Sequence, residues 1–418
     1  MTIKILYSIF KKNPIICTDS RKIKDSALFF ALKGENFNGN EYATKAIKEG
    51  CSYAVIDEKE YRTHPNTILV DNVLETLQEL ATYHRAQLKI PVIGITGSNG
   101  KTTSKELINT ILSSELNCYA TKENLNNHIG VPLSILEINT QHEIAIIEMG
   151  ANHQKEIEFL CNIAQPTHGA ITNIGSAHLE GFGNLQGVIN AKNELYQFIN
   201  KNKGHLFINS EDELLMELAD GIAQTTYGKT GEINGEIKSS TPFLTLNYEQ
   251  LTIESLLIGS FQFNNIMLAV CIGHYFNIST ENIKKSIENY IPTNNRSQII
   301  KTKHNTLILD AYNANPSSMQ AMLISFSEQE YSNKICILGD MLELGKDSKK
   351  EHQEIVSLCK KLNLDCYYIG EEFKKVNQHS FKNRGDFEEK LKIDNISRKT
   401  ILLKGSRGIG LEKLVNYL

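Results

Sequence analysis

Gly97-Ser98-Asn99-Gly100-Lys101-Thr102-Thr103 sets a lysine and two hydroxyls directly behind a glycine-rich turn. Such a turn can wrap successive backbone N–H groups around a polyphosphate, and a helix opening at its end aims its positive pole at the same anion. Lys101 can then reach the outer phosphates, and the Thr102 hydroxyl can ligate Mg²⁺. The flanks suit this reading. An apolar strand, Val92-Ile93-Gly94-Ile95-Thr96, runs into the turn, and Leu107, Ile108, Ile111 and Leu112 share one helix face after it. The strict phosphate-loop pattern asks for glycine at position 95, where this chain has Ile95, so the usable core is Gly97-x-x-Gly100-Lys101-Thr102-Thr103. A surface turn with a solvated lysine is the alternative. The strand and helix on either side favour ATP.

Other residues gain meaning from that loop. Glu148 closes the apolar run Ile144-Ala145-Ile146-Ile147 and either coordinates a metal or caps the next helix. A neighbouring phosphate loop favours metal, because Mg²⁺ takes one or two carboxylates plus phosphate oxygens. His178 follows Ala170-Ile171-Thr172-Asn173 in a loop, as an ordinary histidine or as a ligand or general base. Lys192, in Ala191-Lys192-Asn193-Glu194, reads on pattern alone as a solvated helix lysine. Asp310-Ala311-Tyr312-Asn313-Ala314-Asn315-Pro316 follows a strand and opens a helix, with Pro316 suited to its first turn. Asp310 can hydrogen-bond a ribose and Tyr312 can stack on a base or reach a phosphate, or the segment is an ordinary strand–turn–helix junction. Lys404-Gly405-Ser406-Arg407 is a basic turn or a grip for a carboxylate.

These residues need scaffolds. Up to about residue 84 the strand-like segments 27–32 and 53–56 flank a polar, turn-rich stretch, which predicts a small α/β unit. From about 85 to 292, continuous apolar runs alternate with helix-like segments, the pattern of a parallel sheet covered on both faces. Ligands then sit beyond the carboxyl ends of the strands, where the polar strand ends converge on the phosphate loop. Residues 225–258, rich in Thr, Ser and Gly, predict antiparallel strands at one edge. From about 293 the pattern repeats, with strands ending at Asp310, Gly339-Asp340, Gly370 and Lys404-Gly405. The expected fold is α/β in three domains, 1–84, 85–292 and 293–418. The centre is a mostly parallel sheet carrying the phosphate loop, and the last domain is a doubly wound, Rossmann-like sheet. Two such sheets face each other across a cleft.

Composition excludes several classes. Net charge is −4, which leaves no basic footprint for nucleic acid. No apolar run approaches the ~18 residues of a membrane span, and the N-terminus does not read as a signal peptide. Eight scattered cysteines without a Cys-x-x-Cys pair read as reduced core thiols. The expected setting is cytoplasmic.

Taken together the segments resemble the Mur ligases of bacterial cell-wall synthesis, in that family's order and over nearly the whole chain. Thr18-Asp19-Ser20-Arg21, the loop 96–103, Lys122-Glu123-Asn124-Leu125-Asn126-Asn127-His128, Glu148-Met149-Gly150-Ala151-Asn152-His153, residues 173–183, residues 310–319, Gly339-Asp340-Met341-Leu342-Glu343-Leu344-Gly345 and Lys404-Gly405-Ser406-Arg407 carry the resemblance. Segments 310–319 and 404–407 point to the members that add D-alanyl-D-alanine to UDP-N-acetylmuramoyl-tripeptide. The Asp-Asn-Pro-Arg motif typical of the member that adds the third residue is absent.

The resemblance implies ATP and two Mg²⁺ as cofactors, an acyl-phosphate intermediate, and a monomer. It implies UDP-sugar contacts at Ser20 and Arg21, with Asn124 and Asn127 also on the substrate. Gly97, Ser98, Asn99, Gly100, Lys101, Thr102 and Thr103 would hold the ATP phosphates. Asn265 would meet adenine, and Arg296, Asp310, Tyr312 and Asn313 would meet the nucleotide from the last domain. Lys404, Ser406 and Arg407 would take the dipeptide. Thr102, Glu148, His178 and a carbamylated Lys192 would hold metal. Two departures from the family's usual residues, Ser104 for threonine and Lys155 for glycine, are expected to touch none of these roles. Rival readings are a phosphate-loop ATPase or kinase, a nucleotide-dependent binding module, and a third-residue-adding or folate-glutamating relative.

Overall fold

The computed structural model describes every residue except 177, 178, 332 and 395. Its first sheet is parallel, in the order Ile16–Cys17, Leu28–Phe30, Tyr53–Ile56, Thr67–Leu69. Side chains alternate across it with the period of a strand. Leu28, Phe30 and Val55 face one apolar cluster with Leu6, Phe10, Leu77 and Leu80, while Phe29, Ala54 and Ile56 face another with Ala43 and Ala46. The two outer strands have only two and three residues, too short for a readable alternation.

Helix Val73–Arg85 joins this sheet to the next. Asn72 starts it, its Oδ1 accepting the N–H groups of Leu74 and Glu75. Leu77 and Leu80 share one apolar cluster with Val131, Ile135 and Leu160 of the central region. The last turn adds polar anchors. His84 Nε2 donates to Ile138 O at 2.7 Å. The Arg85 guanidinium, 5% exposed, donates to the carbonyls of Ala164, Leu88 and Gln165 at 2.9, 2.9 and 3.0 Å. Carbonyls satisfy this buried cation where a carboxylate would be expected.

The nine-stranded central sheet runs Leu251–Glu254, Thr245–Tyr248, Ile233–Ser239, Gln224–Gly228, His205–Asn209, His168–Ile171, Val92–Thr96, Ile144–Glu148, Cys118–Ala120. Antiparallel pairing is confined to the Ile233–Ser239, Thr245–Tyr248 and Leu251–Glu254 edge, while Gln224–Gly228 joins in parallel. The edge expectation therefore holds, but its first strand belongs to the parallel set. Both faces are covered. Val92, Ala145, Ile147 and Leu206 pack to one side, and Ile93, Ile95, Ile146 and Phe207 to the other, against helices Lys101–Leu112 and Phe263–Tyr275. Each of these Val, Ile, Leu and Phe side chains contributes about 1.5–3 kcal/mol by leaving water. Helix Lys101–Leu112 also buries Lys105 completely, its Nζ donating to Thr121 O at 2.5 Å and lying 2.8 Å from the Glu106 carboxylate.

The last sheet runs Gln298–Lys301, Thr306–Asp310, Thr400–Lys404, Lys334–Gly339, Asp365–Ile369, with only the first strand antiparallel. Asp340, just past one strand end, accepts the N–H groups of Glu372 and Phe373, both at 2.9 Å, and so caps helix Glu371–Val376. All eight cysteines are free thiols, six of them buried. Among the described residues no helix is long and apolar enough to cross a membrane.

Candidate active site

The phosphate loop leaves strand Val92–Thr96 through two left-handed glycines, Gly97 at φ 145° and Gly100 at φ 80°. A Cβ on Gly97 would lie 2.0 Å from Thr172 Oγ1, and one on Gly100 would lie 2.4 Å from Asn265 Oδ1, so neither position tolerates a side chain. Asn173 pins the loop from the next strand. Its backbone O accepts from Ser98 N, its Oδ1 from Asn99 N, and its Nδ2 donates to Asn99 O, each at 3.0 Å. Gly100 caps helix Lys101–Leu112 without a side-chain hydrogen bond. The first-turn N–H groups are left for an anion, the arrangement that suits a polyphosphate.

Lys101 folds back on the loop, its Nζ donating to Gly97 O at 2.6 Å. Part of its surface stays open to the cavity, yet surrounding protein strips enough water to lower its pKa, with Glu148 opposing the shift. Thr102 Oγ1 donates to Glu148 Oε2 at 2.9 Å, and Asn126 Nδ2 donates to Glu148 Oε1 at 2.8 Å. Glu148 is 1% exposed, and its N–H is held by Thr121 Oγ1 at 3.0 Å. A buried carboxylate touching only neutral groups, beside a hydroxyl and an uncapped helix, is a donor set that fits a hard divalent cation shared with phosphate. Among the described residues no three His, Cys, Asp or Glu side chains form a ready cage, so phosphate oxygens and water must complete the shell.

Lys192, on helix Leu185–Lys201, is no solvated helix lysine. It is 2% exposed, its Nζ lies 5.4 Å from the Phe182 ring centroid, and burial with help from Lys101 lowers its pKa to about 7. His178 lies outside the described residues.

The third sheet closes the other wall of one cavity of about 950 Å³, which also reaches Glu148 and the loop. Arg296 stacks on the Tyr312 ring at 3.8 Å, and Arg407 lies 5.5 Å from the same ring. Asp310 and Lys404, expected to meet separate ligands, instead meet each other at 2.5 Å, and Asp310 Oδ1 accepts from Ser297 N at 3.0 Å. Asn313 lines the same wall.

Three family models cover most of the chain. The Mur ligase family, catalytic domain, matches 14–90; the Mur ligase middle domain, 95–273; the Mur ligase, glutamate ligase domain, 295–406. A UDP-N-acetylmuramoyl-tripeptide–D-alanyl-D-alanine ligase of Bacillus subtilis is 34% identical, over 96% of this chain and 92% of its own length. The chain belongs to the Mur ligase family. The ligase of the same name from Escherichia coli is 30% identical, over 96% of this Mur ligase and 93% of its own length. A crystal structure of MurF from Acinetobacter baumannii superposes with a TM-score of 0.85 at 30% identity, over 96% and 92% of the two chains. MurF ligase from Thermotoga maritima in complex with ADP has a TM-score of 0.83 at 24% identity, over 97% of each, and shares the fold.

Several expected contacts of this Mur ligase have other partners. Ser20 and Arg21 lie on the first domain's loop away from the main cavity, with Arg21 gripping Asp19 at 2.9 Å. Asn124 is exposed outside the cavity lining. Asn127 lines the cavity, but its Oδ1 accepts the Ile129 and Gly130 N–H groups. Ser406 Oγ accepts from Leu342 N and donates to Ala314 O. Asn265 is held between Ser104 Oγ at 3.1 Å and Gln262 Oε1 at 2.7 Å. The sequence alone does not single out Asn126, Thr172 and Asn173 as site residues. Their signal was a carboxamide cluster at 124–127 and a polar strand end.

The two family departures do touch the site. Ser104 holds Asn265 through that 3.1 Å bond. Lys155 lines the cavity and sits at φ 72°, a conformation glycine adopts freely. The strain costs lysine about 1–2 kcal/mol, and a glycine's extra unfolded-state freedom offsets roughly half. The Lys155–Glu158 pair is exposed and contributes little. Lys155→Gly should therefore raise stability by up to about 1 kcal/mol, read from a urea midpoint. A lower midpoint would show that no strain resides there.

Proposed function

We propose that this Mur ligase joins D-alanyl-D-alanine to UDP-N-acetylmuramoyl-tripeptide, with ATP converted to ADP and phosphate. The observation that carries the reading is the helix behind Gly100, whose N-terminus no side chain caps, facing the buried Thr102–Glu148 pair, in one cavity with Arg296 and Lys404 from the third domain. Near-full-length relatives bearing that ligase name support the choice of acceptor.

A carboxylate does not form an amide in water unaided, because the departing oxygen is too basic. In the proposed sequence a donor carboxylate oxygen attacks the γ-phosphorus, the bond to ADP breaks, and an acyl phosphate forms. The dipeptide amine then attacks the acyl carbon through a tetrahedral intermediate, loses a proton, and phosphate departs with the donor's oxygen. Lys101 moves from Gly97 O to the outer phosphates and offsets charge as it builds. Bound Mg²⁺ supplies further charge neutralisation and orientation: Thr102 and Glu148 would hold one ion, and Glu148, His178 and a carbamylated Lys192 a second. Carbamylation needs a neutral amine, which a pKa of about 7 provides. Asn265, Arg296, Asp310, Tyr312 and Asn313 serve the nucleoside side. Of the two cations offered to the dipeptide carboxylate, Arg407 is exposed while Lys404 is paired with Asp310. Region 1–84, through Ser20 and Arg21, takes the UDP-sugar; 85–292 takes ATP; 293–418 closes over the acceptor. The reading places a monomer in the cytoplasm.

The test is product mass spectrometry with UDP-muramoyl-tripeptide, D-Ala-D-Ala, ATP and Mg²⁺, using tripeptides ending in lysine or diaminopimelate. The pentapeptide should form only with both substrates, and ¹⁸O in the donor carboxylate should appear in phosphate. Rapid ADP release without either substrate would favour an ATPase.

A further inference from the structure

Asn99 belongs to the phosphate loop, yet its side chain reaches across the cavity. Its Nδ2 donates to Ser317 Oγ at 2.9 Å, and its Oδ1 accepts from Asn315 Nδ2 at 2.8 Å. Ser317 Oγ donates in turn to Asn315 Oδ1 at 3.0 Å, closing a ring of three side chains. The directions in this ring are forced. Asn315 caps helix Pro316–Glu328, so its Oδ1 must accept from Ser318 N, at 2.9 Å. Its Nδ2 therefore faces Asn99, Asn99 must present its oxygen there, and the Asn99 amide nitrogen is left for Ser317.

The loop end of the ring is equally fixed. Asn99 N donates to Asn173 Oδ1, and Asn99 O accepts from Thr172 Oγ1 at 2.6 Å and from Asn173 Nδ2. Ser317 also lies close against the central region. A Cβ on Gly175 would sit 3.1 Å from its Oγ, and Gly175 is itself tied to Ser98 by two hydrogen bonds. Helix Pro316–Glu328 already commits its Ser318 N–H to its own capping box. What remains is a mechanical link. The third sheet, carrying Lys404 and Arg407, is tied to the backbone that wraps the phosphates.

We propose that Asn99, Asn315 and Ser317 form an interdomain clasp that sets the third domain's position over the phosphate loop, making all three positioning residues for the amine-transfer half of the reaction. The Asn99 side chain is then a domain contact and no phosphate ligand. The proposal deepens the ligase reading and rests on it for the kinetic assay.

The test is a double-mutant cycle in the full-length protein. Asn99→Ala and Ser317→Ala should each lower kcat/KM for D-Ala-D-Ala about tenfold, and together no more than about tenfold, because they break one shared link. ADP·Mg²⁺ affinity should fall by a similar factor in Asn99→Ala, in Ser317→Ala and in the double variant, because the third domain also carries Arg296 and Tyr312 to the cavity. The double variant Asn99→Ala with Ser317→Ala leaves the Asn315 cap intact while removing both of its partners in the ring. It should melt like the parent while small-angle scattering shows a larger radius of gyration. Additive losses near a hundredfold, or a parent-like radius for the double variant, would each overturn the clasp. A parent that makes no pentapeptide would instead refute the ligase reading, and the scattering comparison would still judge the clasp.

Discussion

Lys101→Ala is expected to lower ADP release by at least about 10³-fold while the protein stays folded. Lys101 supplies the one lysine ammonium within the loop, and its Nζ contacts only the loop carbonyls Gly97 O and Ser98 O among the described hydrogen bonds. Removing it returns those carbonyls to cavity water and relieves a desolvated cation, so the melting temperature should hardly fall. Transferring phosphoryl oxygens would lose their closest positive partner, which no neighbour replaces: Arg296 stacks on Tyr312 and Lys404 is paired with Asp310. Steady-state ADP release and a thermal melt decide the matter. Turnover within tenfold of the parent would exclude the loop from the chemistry.

Lys192→Ala should cost on the order of 10²-fold or more in turnover and regain part of it with formate or acetate, which can occupy the space of a lost carbamate. Full activity without any additive would remove Lys192 from the site. The pH dependence carries a definite sign. With a folded pKa of about 7 against an ordinary 10.5, the folded chain binds fewer protons than the unfolded chain between those values. Burial of Lys192 is thus costliest below pH 7, and the cost fades as pH rises towards 10.5. The stability of Lys192→Ala relative to the parent should improve by a few kcal/mol, as an order of magnitude, between pH 10 and pH 6, on top of a pH-independent loss of packing from the deleted stem. Parent activity should fall on the acid side of pH 7 as the amine available to CO₂ declines.

Periodicity revealed the long elements. Uninterrupted apolar runs such as 144–147 and 401–403 have few alternatives to a buried parallel strand, and the face shared by Leu107, Ile108, Ile111 and Leu112 could only be a helix. Strands of two or three residues carry no period, so Ile16–Cys17 and Thr67–Leu69 stayed invisible. The phosphate loop was legible because glycine conformation and helix polarity are local properties. Lys192 was not, since a buried and an exposed helix lysine have the same neighbours in sequence. The Asp310–Lys404 pair joins residues 94 positions apart, and only the adjacency of their strands brings them together. Asn126 and Asn173 act by holding Glu148 and the loop, roles that residue type alone does not announce.

Helix Val73–Arg85 has a consequence for substrate choice. Its buried guanidinium and His84 tie the first sheet to the central one, so under the proposed function a UDP-sugar held by the first domain and the phosphate loop would sit on one bracket. A donor held at one end must span that bracket to present its carboxylate at the other. The protein would then measure the length of the peptide stem as a ruler does, turning away shorter stems by reach before any side chain is read.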